Sequence, residues 1–172
     1  VRHTVCLDYL GGHLPGTVPW SNLTDGGPTA PPPVQYVPAD HPMYVLYSSG
    51  TTGLPKPIVH GHGGILLEHL KVLGLHADLG PGDRFAWFTT TGWMMWNYLV
   101  SGLLVGATVV LFDGDPAWPD LHTLWQMTAE LEVTWLGTGA PFLMQCAKTG
   151  LRPQPGPQLR AVLDVEVERR LG

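Results

Sequence analysis

Short apolar runs alternate along the chain with segments whose apolar residues recur at helical spacing. Residues 43–47, Met-Tyr-Val-Leu-Tyr, form an apolar run that ends in a glycine-rich turn, which predicts a buried strand. Over residues 62–77, Leu66, Leu70 and Leu73 fall on one side of a helical projection. This spacing predicts a helix that packs against a core through those three leucines.

The same alternation continues to the end of the chain and sets the fold class. Pro141 suits the first turn of a helix, Asp120 is a candidate N-cap, and residues 93–105 are apolar nearly all round, which predicts a helix buried on most sides. Strands that alternate with helices predict an α/β fold around a mostly parallel sheet covered on both faces. Further strands are predicted at 58–60, 85–88, 107–112, 133–136 and 159–163, and further helices at 93–105, 120–131 and 141–148.

The distribution of glycine and proline divides the chain into three parts. Residues 1–42 form a leading segment in which glycine and proline are frequent from residue 11 onward, which is typical of a surface loop or linker. Residues 43–163 carry the alternating pattern and are predicted to form part of a larger domain. Residues 164–172 do not continue that pattern and are predicted to be a divergent tail.

Composition and charge narrow the class of protein. Apolar residues make up 44% of the 172 residues, enough for a packed core, whereas charged residues make up only 13%. The net charge of -5 argues against general binding to nucleic acids or anionic membranes. The two cysteines lie far apart, which fits a reducing cytoplasm. The longest apolar stretch, 98–112, is too interrupted to predict a membrane span.

The chemistry of the chain is concentrated in the loop that follows the first predicted strand, which reads YSSGTTGLPK over residues 47–56. Its glycines allow close approach of the backbone, its hydroxyls add donors and Lys56 adds a positive charge, a combination that suits a polyphosphate. A flexible polar turn with one lysine is the alternative. The loop is not a Walker A motif, because Pro55 and Pro57 flank the lysine and a short strand follows it.

Other polar groupings predict less specific roles. His60, His62 and His69 lack the convergent spacing of a zinc site and are interpreted as polar or packing side chains. Asp113-Gly-Asp115 is typical of a turn at a strand end. Residues 137–141, Gly-Thr-Gly-Ala-Pro, lie between a predicted strand and a helix, a geometry that suits anions. No Gly-x-Ser-x-Gly elbow supports a hydrolase.

The loop also carries a family resemblance. YSSGTTGLPK matches every position of [ST]-[SG]-G-[ST]-T-G-x-P-K, the phosphate-binding signature of the adenylate-forming enzymes, which include acyl-CoA synthetases and luciferases. The Gly92-Trp93 pair before an apolar helix resembles the acetyl-CoA synthetase branch. HGHGGILLEHLK at 60–71, FTTTGWMMWN at 88–97 and LVGATVVLFDG at 104–114 are similar to the acetoacetyl-CoA synthetases within it.

The resemblance implies a two-step ligase reaction and a set of site residues. An acid such as acetoacetate reacts with ATP, with Mg²⁺ present, to an acyl-adenylate and pyrophosphate, and coenzyme A then takes the acyl group. Lys56, Thr51 and Thr52 are the implied catalytic residues, and Trp93, Met94 and Met95 the implied acyl-pocket residues. The nucleotide-binding positions implied by the family are Ser48, Ser49, Gly50, Thr51, Thr52, Gly53 and Lys56.

The resemblance also implies an incomplete domain. The family's Mg²⁺-binding glutamate, its ribose-binding aspartate and the lysine of its small domain lie downstream of the matched region and are not recognisable here. We therefore expect a truncated or frameshifted piece of the N-terminal domain, inactive by itself in thioester formation. The alternative is a degenerate relative that acts as a weak nucleotide-binding or protein-interaction module.

Overall fold

A computed structural model describes residues 3–12, 14–27, 31–48, 53–164 and 168–170. The chain divides into two units, Val1–Val37 and Pro38–Gly172. In the first unit, a two-residue strand β1, Val5–Cys6, pairs in parallel with β2, Val18–Pro19, and a single-turn helix α1, Ser21–Thr24, follows. The sequence pattern predicted only loop for the part of this region from residue 11 onward.

The second unit begins with a β-hairpin and then alternates helices with strands. Its elements, in chain order, are β3 Pro42–Ser48, β4 Lys56–Gly61, α2 His62–Leu70, β5 Arg84–Trp87, α3 Met94–Val100, β6 Thr108–Val110, α4 Thr123–Glu130, β7 Trp135–Thr138, α5 Ala140–Lys148, β8 Ala161–Asp164 and β9 Glu168–Arg170. A π-helical segment, Lys71–His76, extends α2, and a 3₁₀ segment, Ser101–Val105, extends α3.

Five strands form one sheet in the order β6-β5-β7-β8-β9. The first four run parallel, and β9 pairs antiparallel with β8. The predicted α/β class with a mostly parallel sheet is therefore confirmed. β3 and β4 instead pair with each other as a separate antiparallel hairpin. The last strand, β9, lies in the stretch for which sequence analysis predicted only a divergent tail.

Both faces of this sheet are packed. Because side chains alternate along a strand, Phe85 and Trp87 of β5 enter one core and Ala86 the other. The first core receives Leu73 from the π-helical segment and Leu99 from α3. The second core holds residues of α4 and α5, namely Leu124, Trp125, Met127, Phe142 and Cys146.

Three details of the predicted helices are corrected by the structure. Leu70 is exposed, whereas His69 is buried. The π-helical segment that follows α2 contributes Leu73 to the core, and Ala77 directly after it is also buried there. Asp120 does not cap α4, which starts at Thr123. Its carboxylate accepts a hydrogen bond from the backbone N–H of His122, the residue directly before the helix.

The segment after Trp93 is also less buried than predicted. Met95 and Leu99 are buried, but Leu103 is 65% exposed and Leu104 is 43% exposed. The segment packs through one side only, because it covers a single face of the sheet. Within the described residues, no helix is long and apolar enough to cross a membrane.

Candidate functional site at the carboxyl edge of the sheet

The phosphate-loop motif is the connection of the β3–β4 hairpin. Ser48 ends β3 and Lys56 begins β4, and the two residues are paired across the hairpin. Gly53 has a φ of 140°, a conformation that disfavours any side chain. Ser49, Gly50, Thr51 and Thr52 lie outside the described residues. The structure thus places two candidate phosphate-binding residues, Ser48 and Lys56, opposite each other at the base of the loop.

The glycines after β4 are explained by packing. A Cβ added to Gly61 would lie 3.1 Å from the carbonyl oxygen of Ala39, and one added to Gly63 would lie 2.8 Å from the Cβ of Ala39. The ring Nδ1 of His62 lies 2.8 Å from the carbonyl oxygen of His41. The segment before β3 therefore lies directly against the first turn of α2, and this close contact holds the hairpin at the start of that helix.

A cleft opens where the parallel strands β5, β6 and β7 end. It has a volume of about 670 Å³. Its walls come from the loops after β5 and β6 and from the first turns of α5. Crevices at the carboxyl edge of a parallel sheet are where α/β proteins bind their ligands. The lining residues are Phe88, Thr89, Thr90, Trp93, Asp115, Pro116, Ala117, Gly139, Ala140, Pro141, Phe142 and Gln145.

The three residues assigned to the acyl pocket occupy different environments. Trp93 lies in the wall of the cleft and is 41% exposed. Met94 is 49% exposed and is not among the lining residues. Met95 is buried in the core between α3 and the sheet. The structure therefore brings only Trp93 of these three to the cleft.

A tryptophan stacked on a glycine supports the strands that lead to the cleft. A Cβ at Gly137 would lie 2.0 Å from the ring of Trp87, so only glycine allows that ring to lie on β7. The backbone N–H of Phe88 donates to the carbonyl oxygen of Gly137 at 2.8 Å. These contacts hold the ends of β5 and β7 side by side, directly before the residues that line the cleft.

The end of β7 also carries an orphan hydroxyl. Thr138 is fully buried, and its Oγ1 has no hydrogen-bond partner in the described part of the chain. Thr128 of α4, equally buried, donates to the carbonyl oxygen of Trp125 at 2.7 Å. Thr138, whose hydroxyl is the unpaired one, directly precedes Gly139, which lines the cleft.

The histidines have separate packing roles, as interpreted from the sequence. His69 is buried and packs edge-on against Tyr98, with ring centroids 5.9 Å apart. Burial lowers the pKa of His69, the nearby positive charge of His60 lowers it further, and Glu68 opposes both. Among the described residues, no group of three or more histidine, cysteine, aspartate or glutamate side chains is arranged to hold a metal ion.

Among the four polar side chains of the cleft, sequence analysis named only Asp115, and it interpreted that residue as part of a turn. Thr89 and Thr90 follow β5, Asp115 lies in the loop after β6, and Gln145 lies on α5, one turn beyond Pro141. The available signal was their position at or after the ends of predicted strands, where parallel sheets bring loops together. Gln145 gave no such signal, because a lone glutamine on a helix is ordinarily a solvated surface residue.

Comparison with known proteins decides the family. The family model described as AMP-binding enzyme matches residues 1–166. The chain belongs to the AMP-binding enzyme family. Curated relatives include the acetoacetyl-CoA synthetase of Gallus gallus, 47% identical over 69% of this chain, and the acetoacetyl-coenzyme A synthetase of Rhizobium meliloti (strain 1021), 42% identical over 87% of it. A malonamoyl-CoA synthetase of Penicillium aethiopicum is 41% identical over 84% of this chain.

A solved structure confirms the fold of this family. The acetoacetyl-CoA synthetase from Streptomyces lividans superimposes with a TM-score of 0.86 and 50% identity over 95% of this chain. The chain spans 26% of that structure, and 18% and 24% of the Gallus gallus and Rhizobium meliloti relatives. The matched region therefore corresponds to about a quarter or less of each relative.

Proposed function

We propose that this chain forms the pyrophosphate-binding and acyl-binding part of an acid–thiol ligase that activates acetoacetate. In that reaction, a carboxylate oxygen of the acid attacks the α-phosphorus of ATP and pyrophosphate leaves. The thiol of coenzyme A then attacks the acyl carbon and AMP leaves. The observation that carries the proposal is the hairpin loop, whose complete signature is closed at its base by Ser48 and Lys56.

The role of Lys56 follows from the charge of the leaving group. Pyrophosphate gains negative charge as the bond to the α-phosphorus breaks, and a positioned cation stabilises that charge. Lys56 is exposed at the first position of β4, so its ammonium group is available to a ligand held by the loop. Thr51 and Thr52 remain predictions for the same role.

The cleft at the carboxyl edge of the sheet is the proposed acyl-binding site. Trp93, Pro141 and Phe142 give it apolar walls that suit a short acyl chain, and the tryptophan limits its length. Met94 and Met95 do not line the cleft. Their role in acyl binding therefore stays a prediction from the family resemblance. The two kinds of acid named by the relatives, acetoacetate and malonamate, share a carbonyl on the third carbon.

The family implies ATP, Mg²⁺ and coenzyme A. The resemblance assigns Mg²⁺ to substrate phosphates and to a glutamate downstream of the matched region, so no residue of this chain is proposed as its ligand. Lys56 and Ser48 are the described residues that fit the ATP phosphates. No described residue is assigned to coenzyme A.

The test is a chimaera. Residues 38–163 of this chain replace the matching part of the Streptomyces lividans relative, and acetoacetate-dependent exchange of pyrophosphate into ATP is measured. We expect activity in the chimaera and a loss of about 10²- to 10³-fold in kcat on Lys56→Ala, the usual effect of removing one charge-stabilising group. Lys71→Ala is the matched control, because the one ion pair of Lys71 among the described residues is with the exposed Glu68. A folded chimaera with equal activity after both substitutions contradicts the proposal.

One observation favours a second candidate, a non-catalytic interaction module. Leu67 is 71% exposed, Leu75 is 80% exposed and Leu103 is 65% exposed, an unusual amount of open apolar surface. Measurements of ATP binding and self-association on the 172-residue chain by itself distinguish the ligase part from the interaction module. If it binds ATP and Lys56→Ala abolishes binding, the loop functions as proposed. If it binds no nucleotide in either form and self-associates, the interaction module is favoured.

A further inference from the structure

Four polar side chains of the described residues line the cleft, Thr89, Thr90, Asp115 and Gln145, and two of them have hydrogen-bond partners. The hydroxyl of Thr89 donates to the carbonyl oxygen of Thr90 at 3.1 Å. A carboxylate oxygen of Asp115 accepts from the backbone N–H of Ala117 at 2.8 Å. The side-chain amide of Gln145 has no partner among the described residues. Gln145 is exposed, so its N–H₂ group is accessible to solvent or to a ligand in the cleft.

The position of Gln145 places this donor beside the entrance of α5. Gly139 precedes the helix, and Pro141 lies four residues before Gln145, so Pro141 and Gln145 share one face of the helix. Side chains of a helix lean toward its N-terminus, which brings the amide toward the first turn. That turn also lines the cleft. Pro141 has no N–H, and the N–H groups of Phe142 and Leu143 donate to the carbonyl oxygen of Gly139, so a carboxylate there is favoured chiefly by the positive end of the helix dipole.

These two features fit the two ends of one small acid. We propose that Gln145 determines substrate specificity by donating a hydrogen bond to a carbonyl oxygen on the third carbon of the acid, while the carboxylate lies at the first turn of α5. This inference rests on the proposed function and adds to it the residue that distinguishes 3-oxo acids from simple fatty acids. A neutral carbonyl accepts from the amide, whereas the methylene of butanoate leaves the amide unpaired.

Asp115, in the wall of the same cleft, disfavours acids that carry a second carboxylate. A substrate with a carboxylate in place of the carbonyl, such as malonate, brings a second negative charge toward this aspartate. Like charges in a partly enclosed site repel more strongly than in water. The cleft is therefore arranged for a neutral carbonyl and against a second carboxylate.

The experiment measures binding to the 172-residue chain labelled with 5-fluorotryptophan. Trp93 lies in the cleft wall and reports occupancy through its ¹⁹F resonance, which the Trp93→Phe variant assigns. Acetoacetate, malonamate, butanoate and malonate are titrated separately. We expect acetoacetate and malonamate to bind about three- to tenfold more tightly than butanoate, as one neutral hydrogen bond provides, and malonate to bind most weakly.

Two variants test the residue itself. Gln145→Leu removes the donor at similar size and should bring acetoacetate to the affinity of butanoate. Gln126→Leu is the matched control, an exposed glutamine of α4 that does not line the cleft, and should keep the preference. Circular dichroism of both variants confirms that they fold alike.

The outcomes separate this inference from the proposed function. If the acids shift the Trp93 resonance but bind equally, or if Gln145→Leu keeps the preference, the role of Gln145 is wrong and the acyl site stands. If the preference is lost on Thr90→Val and not on Gln145→Leu, the donor is misassigned. If no acid perturbs Trp93, both the acyl assignment of the cleft and the role of Gln145 are wrong.

Discussion

The two ends of the parallel sheet differ in how their side chains are bonded. At the amino ends of the strands, Arg160 donates to Asp83 at 2.5 Å, and the backbone N–H of Arg84 donates to the hydroxyl of Thr134 at 3.1 Å. Arg84 also pairs with Glu132 at 3.3 Å. These bonds join residues 48 to 77 positions apart in sequence, so they tie separate strands and loops together.

At the carboxyl ends of the strands, the side-chain hydrogen bonds are local in sequence. The side chains of Thr89 and Asp115 bond only to backbone one or two residues away, and Thr138 has no partner among the described residues. The two ends of the sheet therefore differ in the range of their polar contacts. Polar groups at the amino end join separate elements of the fold, whereas those at the carboxyl end bond locally or have no partner among the described residues.

The largest expected effect comes from the contact that joins the strands beneath the cleft. Gly137→Ala places a Cβ 2.0 Å from the ring of Trp87, so we expect a loss of about 3 kcal/mol or more in the free energy of unfolding. Urea denaturation followed by circular dichroism measures it. Gly139→Ala is the control, with a new Cβ at an ordinary 3.5 Å from Pro141, and should cost less than about 1 kcal/mol. Equal costs would show that Trp87 moves aside easily.

An intermediate effect is expected from a pair of aspartates, one at each end of the sheet. Asp83 is 15% exposed and accepts from both Arg160 and the backbone N–H of Gly80, so Asp83→Ala should cost about 2 kcal/mol. Asp115 is exposed and bonds only to Ala117, so Asp115→Ala should cost less than about 1 kcal/mol. Thermal and urea unfolding of both variants check this. A reversed order would contradict the division between the two ends.

The smallest effect is also the most specific, because it is a difference in sign. Thr128 and Thr138 are both fully buried, but only the hydroxyl of Thr128 is paired. Thr128→Val should destabilise the fold by about 1 kcal/mol, because it leaves the carbonyl oxygen of Trp125 without this donor. Thr138→Val should be neutral or stabilising by up to about 1 kcal/mol. If both substitutions destabilise equally under urea, the Thr138 hydroxyl has a partner after all.

Sequence periodicity predicted the sheet well, because each strand is a short apolar run between turns. The strands at 85–88 and 159–163 appear within two residues of their predicted bounds, as Arg84–Trp87 and Ala161–Asp164. Periodicity failed where backbone geometry departs from the regular helix. The π-helical segment after α2 places His69 in the core and Leu70 in solvent, a change that a fixed period of 3.6 residues does not describe.

The candidate site was predicted in the part that depends on local chemistry. The phosphate loop is a continuous motif, so the family resemblance of that one stretch was enough to name Ser48, Gly53 and Lys56 as candidates. The cleft combines three separate segments, and no local pattern shows that Asp115 and Gln145 lie in the same cavity. For the same reason, the sequence did not separate Trp93, which lines the cleft, from Met95, which packs in the core.

The sequence by itself determined the α/β class, the phosphate loop and the family resemblance, because each depends on residues that are neighbours along the chain. Only the tertiary structure decided which face of each helix is buried, which hydroxyls are paired and which side chains meet at the carboxyl edge of the sheet. Those properties depend on contacts between residues far apart in sequence, such as the approach of Trp87 to Gly137. Packing of the sheet creates these contacts, and with them the cleft where Gln145 is left without a partner among the described residues.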